Sequence, residues 1–371
     1  KDKLFSKNHY VKSYALNQGS SNLLNILNIW DTIKTKSQPI DKILLKQGSS
    51  KSSIQPFELI FSNDYSKNNY LFHMIEEIYL KKAIVEKIDK CPNIEYLYSS
   101  NIVEQFIDKN STKLVLDSGQ IIYSDLIVGS DGYPSSSAKK AGIKHIDYSY
   151  NQSSIVGIFK HEIPHENEAV QIFLPSGPLA VLPLSGNRSS FVWTNETNEA
   201  VRIFNLNDLL FLNELNTAFQ NRRGQIQLES KKSMFPISLT IPKKVTKERF
   251  VIIGDTAHKI HPIAGQGLNL GIRDVAALAE VLILSRRLGE DIGSRLVLNK
   301  YSKWRNLDVT SVVFFTDFTN KIFSNDNFLK KFATGIGFKL LNESKTIKNY
   351  FISEASGLSG DIPKLLKGNK L

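Results

Sequence analysis

Residues 250–274 of this chain read FVIIGDTAHKIHPIAGQGLNLGIRD, and this stretch decides the fold. Residues 250–253 are apolar and mostly β-branched, which predicts a buried strand that ends on Gly254 and Asp255. From Leu268 onwards, apolar side chains recur at helical spacing. A strand, a loop and a glycine-rich helix start leave backbone N–H groups unpaired. The stretch therefore predicts a binding site for an electron-rich ligand.

These residues resemble the Gly-Asp flavin motif of the FAD-dependent aromatic hydroxylases that have the p-hydroxybenzoate hydroxylase fold. Their continuation, HPIAGQGLNLGIRDVA, is similar in particular to the ubiquinone-biosynthesis branch of that family. The resemblance implies that the aspartate holds the ribityl hydroxyls of FAD and that the helix start faces N1 and the O2 carbonyl of the flavin ring. The cofactor-binding residues that it implies here are Gly254, Asp255, Pro262, Gly265, Gln266, Gly267, Leu268 and Asn269.

Two other interpretations of this stretch remain open at this point. One is a buried strand that leads into an ordinary helix, with glycines for close packing. The other is a metal site, since His258 and His261 are three residues apart. No cysteine or third histidine lies nearby, and Pro262 interrupts the segment, so we predict no metal.

The composition predicts an ordinary globular protein that is large enough for two domains. It has 371 residues, of which 41% are hydrophobic and 22% charged, and a net charge of +11. The basic residues are spread along the chain without a nucleic-acid motif, so we expect no nucleic-acid partner. A single cysteine, Cys91, suits a reducing compartment, and no apolar run is long enough to span a membrane. We expect a cytoplasmic protein whose contact with the inner membrane is peripheral.

The beginning of the chain lacks the glycine-rich turn with which dinucleotide-binding folds open, because no glycine precedes Gly19. We therefore expect a first βαβ unit of about 30 residues to be missing. The family has a cofactor-facing arginine at the position of Lys12, which implies that Lys12 reaches toward FAD. An exposed lysine before an amphipathic helix is the alternative interpretation.

A second resemblance to the family begins at Asp131 and Gly132, after a predicted buried strand. In the family this Asp-Gly, with the serine that matches Ser135, contacts both FAD and the nicotinamide pyrophosphate. Ala138 stands where the family has an arginine, which removes five hydrogen-bond donors to phosphate. Lys139 and its neighbour Lys140 could supply charge instead.

The apolar patterns elsewhere predict further elements. Residues 71–88 predict an amphipathic helix, and residues 40–46, 57–61, 94–98, 102–107, 113–117 and 120–123 predict short strands. Residues 150–243 predict alternating strands that form an antiparallel sheet with one apolar face. Its GPLAVLPL segment resembles the family's strand pair above the flavin, which implies substrate contacts at Gly177, Pro178, Leu179 and Leu182.

The fold class that follows is α/β, with a Rossmann-like FAD-binding domain, an inserted antiparallel substrate domain and C-terminal helices. We expect the FAD-binding domain to comprise residues 1–36, 66–150 and 244–300, and the substrate domain residues 37–65 and 151–243. We expect residues 301–371 to form the C-terminal helical region. Its lysines alternate with apolar residues from Phe328 onwards, which suits either an anionic membrane surface or a helix packed on the core.

The resemblance implies a monooxygenase that hydroxylates a polyprenylated phenol in ubiquinone biosynthesis. In the family NAD(P)H reduces FAD, oxygen adds at the flavin C4a atom, and the hydroperoxide transfers oxygen to the ring. No catalytic side chain is required, and other ubiquinone-biosynthesis proteins are the expected partners.

Two alternatives stand beside this function. One is a truncated, inactive descendant or incomplete gene model that acts at most as a non-catalytic partner. The other is an enzyme that acts on a soluble aromatic acid or on another phenol.

Overall fold

The computed structural model describes residues 12–47, 58–62, 70–260, 265–324, 353 and 356–371. The strands are β1 (Ser13–Leu16), β2 (Gln38–Ile40), β3 (Lys42–Gln47), β4 (Glu58–Ser62), β5 (Phe72–Glu76), β6 (Ile102–Ile107), β7 (Thr112–Leu116), β8 (Ile121–Ser124), β9 (Ile127–Gly129), β10 (His145–His161), β11 (Glu168–Leu174), β12 (Gly177–Leu184), β13 (Arg188–Glu196), β14 (Ile226–Leu228), β15 (Ser233–Pro242), β16 (Thr246–Lys247) and β17 (Phe250–Ile252). The helices are α1 (Gln18–Ile26), α2 (Trp30–Lys34), α3 (Glu77–Asp89), α4 (Ser136–Lys140), α5 (Thr197–Phe204), α6 (Asp208–Ala218), α7 (Gln266–Arg287) and α8 (Arg295–Ser324), and there are 3-10 turns at Gly254–Thr256 and Lys364–Lys367.

The largest sheet has the order β14-β10-β13-β12-β11-β3-β4, with β15 also paired to β10. Its pairs are antiparallel except for β11 with β3, which run parallel. The antiparallel sheet predicted in residues 150–243 is therefore confirmed. From the predicted substrate segment 37–65, β3 and β4 join this sheet, whereas β2 pairs with β5 in another sheet.

The two faces of the large sheet pack against different partners, because side chains alternate along each strand. One face forms a closed core under α5 and α6, in which Phe159, Phe191 and Phe211 are fully buried. The other face meets the β1-β5-β2 sheet, where Ile158 packs in one cluster with Met74. This second face is the one that can border a site shared with β1.

The predicted helix over residues 71–88 is wrong in its first part, since Phe72–Glu76 is strand β5 and the helix begins at Glu77. The strand lies between β1 and β2 and is covered on both faces, so four consecutive residues are buried. A short apolar run of this kind cannot be assigned to helix or strand from periodicity alone. The strand predicted at residues 94–98 is also wrong, because those residues form turns and irregular chain.

Strand β17 pairs in parallel with β9, and α7 and α8 pack against β17 through a buried cluster around Val251. Because the two strands run in the same direction, the loops that follow them emerge at the same edge. The loop after β9 carries Asp131 and the loop after β17 carries Asp255. Ligands of open α/β sheets bind at this edge, so the fold brings both sequence motifs to a typical cofactor position.

The C-terminal segment, residues 356–371, lies against α1 and α7. Leu366 is buried with Leu23 and Ala276, and the Asn22 side chain donates a hydrogen bond to the Leu366 carbonyl. The predicted C-terminal helical region is helical through α8, while the amphipathic residues from Phe328 to Leu341 lie outside the described residues. In the described part of the chain, no helix combines the length and hydrophobicity that a membrane span requires.

Candidate flavin site

The turn after β17 presents the exposed carboxylate of Asp255. Gly254 has a φ of +60°, a left-handed conformation that favours glycine. An added Cβ at Gly254 would meet no atom of the described residues within 4 Å, so the space beside it is open on their side. Asp255 is exposed, and among the described residues its carboxylate has no hydrogen-bond or ion-pair partner. It is therefore free to accept hydrogen bonds from ligand hydroxyls.

Asp255 lies close enough to β1 to act on Tyr14 through its charge. Burial raises the pKa of the Tyr14 hydroxyl, and the charges of Glu77 and Asp255 raise it further. The hydroxyl also donates a hydrogen bond to Glu77 Oε1 at 3.0 Å. The Gly254–Asp255 turn and β1 consequently border the same space.

The first turn of α7 presents backbone hydrogen-bond donors that have no acceptor among the described residues. Gly265 precedes the helix in the left-handed region, with a φ of +61°, and offers no capping side chain. The first turn holds no acidic residue. An added Cβ at Gly267 would likewise meet no described atom within 4 Å. The unpaired N–H groups at a helix N-terminus carry partial positive charge, and here they are accessible to an anionic ligand edge.

These features fit the FAD that the family resemblance implies. Gly254 and Gly267 leave space that a side chain would fill, and the Asp255 carboxylate beside Gly254 has no partner among the described residues. Of the other implied residues, Gln266 is partly exposed, Leu268 packs against the apolar cluster of α1 and β5, and Pro262 lies outside the described residues. Contact between FAD and each of these residues stays a prediction.

Asn269 is buried, and its side chain is bonded within the protein. Its Oδ1 accepts hydrogen bonds from Asn17 N at 3.0 Å and Ser20 Oγ at 2.7 Å, and its Nδ2 donates to Ala15 O at 2.8 Å. The side chain thus ties the start of α7 to the end of β1. Sequence reasoning missed this role because the partners lie about 250 positions away.

The Asp131 loop is also bonded within the protein. Burial opposes its charge, but hydrogen bonds from Ser135 and Ser137 prevail and lower the pKa of Asp131. Gly132 N donates to Thr256 Oγ1 at 2.8 Å, which joins this loop to the residue after Asp255. Gly132 thus joins the two loops, while Asp131 is bonded to serines of its own loop. Contact of Asp131 and Gly132 with FAD stays a prediction.

Lys12 lies where β1 approaches the large sheet. Its Nζ is 5.5 Å from the ring centroid of Phe235 on β15, and its carbonyl accepts the Glu77 N–H. The ammonium is exposed and carries its charge at the border of the site. Its predicted contact with FAD is untested.

A row of side chains on the large sheet is only partly buried. The strand register joins Leu45, Gln171, Ala180, Val192 and Val156 across β3, β11, β12, β13 and β10. Each of them is partly exposed, whereas the core on the opposite face is closed. We define these five residues as the sheet row. They lie on the face that meets β1, because Ile158, two residues beyond Val156, packs in the cluster that contains Ala15.

The four predicted substrate residues of β12 fall into different environments. Pro178 and Leu182 share the face of the sheet row, and Leu179 points into the core under α5 and α6. Gly177 allows β13 to approach, since an added Cβ would lie 2.4 Å from the Thr194 carbonyl oxygen. Packing thus accounts for Leu179 and Gly177, and substrate contact by any of the four stays a prediction.

The parallel β9–β17 pair, the open Gly-Asp turn and the uncapped glycine-rich helix together fit the flavin-binding domain of an oxidoreductase. The chain belongs to the FAD binding domain family, which it matches over residues 2–316, and within it to the FAD-dependent hydroxylases of ubiquinone biosynthesis. The predicted family, α/β fold and flavin-dependent monooxygenase class are confirmed.

Two relatives and one solved structure indicate the degree of similarity. The chain is 32% identical over 349 residues to the ubiquinone hydroxylase UbiL of Rhodospirillum rubrum, which covers 93% of this chain and 80% of the relative. It is 27% identical over 349 residues to the 3-demethoxyubiquinol 3-hydroxylase of Escherichia coli, with 94% and 88% covered. The fold is similar to the p-nitrophenol 4-monooxygenase PnpA of Pseudomonas putida DLL-E4, with a TM-score of 0.76, 16% identity, and 96% and 89% covered.

Proposed function

We propose that this flavin-dependent hydroxylase oxidises the aromatic ring of a polyprenylated phenol in ubiquinone biosynthesis, with NAD(P)H as electron donor. The sheet row carries the proposal: partly exposed and largely apolar, it faces β1, which also borders Asp255. An apolar surface beside a polar cofactor site suits a ring that bears a lipid tail. The names of the relatives in Rhodospirillum rubrum and Escherichia coli support the same substrate class.

The residues of the chain would bind and orient, while bound FAD would supply the activation of molecular oxygen. Free N–H groups at the start of α7 would stabilise negative charge on the edge of the flavin ring. Asp255 would accept hydrogen bonds from the ribityl hydroxyls. The sheet row would exclude water from the ring that is hydroxylated. A mechanism of this kind requires no nucleophilic side chain.

Residues 138–140, next to the Asp131 loop, bear on the source of electrons. Ala138, at the place of the family's arginine, is fully buried and offers nothing to a dinucleotide phosphate. The adjacent Lys139 and Lys140 are exposed and provide positive charge near the Asp131 loop. We propose that these lysines assist NAD(P)H binding.

Access to a lipid substrate suggests a peripheral membrane contact and partners from the same biosynthetic route. The net charge of +11 favours an anionic lipid surface. Co-sedimentation with vesicles of anionic phospholipid, but not with zwitterionic vesicles, would support the membrane contact. Equal recovery in the supernatant with both would contradict it.

The experiment that tests the function uses the purified protein supplemented with FAD. NADH and NADPH are compared as reductants, and ¹⁸O₂ is supplied with a prenylated phenol in detergent micelles or with 4-hydroxybenzoate. We expect mass spectrometry to detect one ¹⁸O atom in the ring of the prenylated phenol. A labelled product from 4-hydroxybenzoate alone would overturn the substrate class. Failure of the protein to bind FAD at all would overturn the flavin mechanism.

A further inference from the structure

A buried carboxylate behind the Gly254–Asp255 turn has no part in the chemistry described above. Asp274, on the third turn of α7, is completely enclosed. Its Oδ2 accepts a hydrogen bond from Gly254 N at 2.9 Å and lies 2.7 Å from His258 Nε2. Its Oδ1 accepts from Arg305 Nε at 2.6 Å. Burying a charge is costly unless such partners replace water, so the arrangement needs an explanation.

We propose that Asp274 is a positioning residue for FAD, which fixes the Gly254 amide and thereby directs the Asp255 carboxylate toward the ribityl chain. The inference rests on FAD binding at this turn, as in the proposed function. The turn is compact, since the N–H groups of Ala257 and His258 both donate to the Gly254 carbonyl. Anchoring the Gly254 amide consequently fixes the orientation of the residue that follows it.

Direct packing of α7 on the turn supports this role. An added Cβ at Gly271 would lie 3.2 Å from Gly254 Cα, so the helix backbone touches the turn one helical turn before Asp274. The helix that supplies free N–H groups at its start thus also supplies the acceptor that holds the other half of the site. A shift of Asp274 relative to Gly254 would change the distance between the two halves.

Arg305 holds Asp274 in place from the opposite side. The guanidinium is buried, and it bonds Asp274 through Nε and Asp308 Oδ2 through Nη1 at 2.5 Å. Asp308 also accepts from Arg273 Nε at 2.8 Å. A planar guanidinium can satisfy two carboxylates in fixed geometry, which a lysine ammonium cannot reproduce.

The test is Asp274→Asn, which keeps the size of the side chain. One amide oxygen cannot accept from both Gly254 and Arg305 on opposite sides, and the amide NH₂ would face another donor. We expect the Kd for FAD, measured by titration of apoprotein, to rise at least about tenfold, equivalent to about 1.4 kcal/mol. We also expect the visible absorption bands of bound flavin to shift, because its surroundings change.

Glu280→Gln is the matched control. Glu280 is a second buried carboxylate on α7, and it accepts a backbone hydrogen bond from Lys364 N at 2.8 Å in the C-terminal segment. Its loss should lower the Tm of the apoprotein and leave both the FAD affinity and the flavin spectrum unchanged. A role of Asp274 in stability alone would give the same result for Asp274→Asn.

Arg305→Lys provides a second variant that keeps the buried positive charge, so a folding failure of Asp274→Asn does not end the test. We expect FAD affinity to fall about threefold in this variant, with the same spectral shift. Unchanged FAD affinity and spectrum in the folded variants, with a wild type that binds FAD, would overturn the positioning role. A wild type that does not bind FAD would instead overturn the proposed function on which it rests.

Discussion

Replacing Gly267 with alanine adds one methyl group at the second residue of α7, and the structure predicts opposite effects on the apoprotein and on FAD binding. In the apoprotein the methyl group meets no atom within 4 Å in the part of the chain that the structure describes, so it introduces no clash there. Alanine is favoured over glycine in helices by about 0.5–1 kcal/mol. Because the position lies in the first turn, we expect a gain of about 0.5 kcal/mol and a Tm higher by about 1 °C.

With FAD present, the same methyl group occupies the space that we assign to the flavin. Adding a methylene to a well-packed site costs about 1–3 kcal/mol. The Kd for FAD should therefore increase by a factor of about 5 to 150. Titration of apoprotein with FAD, followed by flavin fluorescence, measures the affinity, and differential scanning fluorimetry without FAD measures the stability.

Gly271→Ala gives the contrasting control on the same helix. Its Cβ would lie 3.2 Å from Gly254 Cα, and the contact is with backbone that cannot rotate away. This variant should therefore lose apoprotein stability, whereas Gly267→Ala gains it. A Gly267→Ala protein with an unchanged Kd for FAD would refute the assignment of the flavin to the start of α7, even if its stability rose as expected.

Three further predictions concern other parts of the structure. Asp255→Ala should lower the flavin content after gel filtration and leave the apoprotein Tm unchanged, because the carboxylate has no partner among the described residues; full flavin retention would contradict its role. Ala180→Phe fills the sheet row, so turnover of a prenylated phenol should fall while FAD affinity stays the same, and loss of FAD affinity would argue against a substrate surface. Burial, with help from the charge of Lys34, lowers the pKa of His73 from 6.5 to about 4. The unfolded chain therefore binds the proton first, and the free energy of unfolding should decrease by up to about 3 kcal/mol as pH falls from 6.5 to 4. Urea unfolding at several pH values should give a smaller decrease for His73→Gln, and an identical decrease would contradict the assignment.

The sequence predicted the part of the site that local backbone signals define. An apolar run before Gly254 and a helical pattern after Leu268 are both local, and the structure has the strand and the helix there. The partners of Asn269 and Gly132 are not local, since they depend on how β1 and the Thr256 turn meet these residues in space. The spacing of residues along the chain does not predict contacts of this kind.

The sheet row was missed for a related reason. Alternation along β12 predicts that one set of side chains faces one side, but it does not indicate which side packs under α5 and α6. In the structure, the face that packs under α5 and α6 carries Leu179, so Leu179 lies in the closed core and Ala180 is partly exposed. By contrast, a signal for Asp274 was present, because a charged residue interrupts the buried helix face between Leu270 and Leu278.

The residues of the 250–274 stretch divide into two groups according to whether they can contact a ligand directly. Gly254 and Gly267 leave open space and Asp255 keeps a free carboxylate, so these positions can contact a ligand directly. Asn269 and Asp274 are buried, and protein partners occupy their polar atoms, so they can act on the ligand only through the backbone they hold. The same division predicts two kinds of variant. Substitutions of Gly267 and Asp255 should change FAD affinity without a loss of apoprotein stability, whereas substitutions in the second group should change both. Gly254 is the exception in the first group, because its φ of +60° disfavours any other residue.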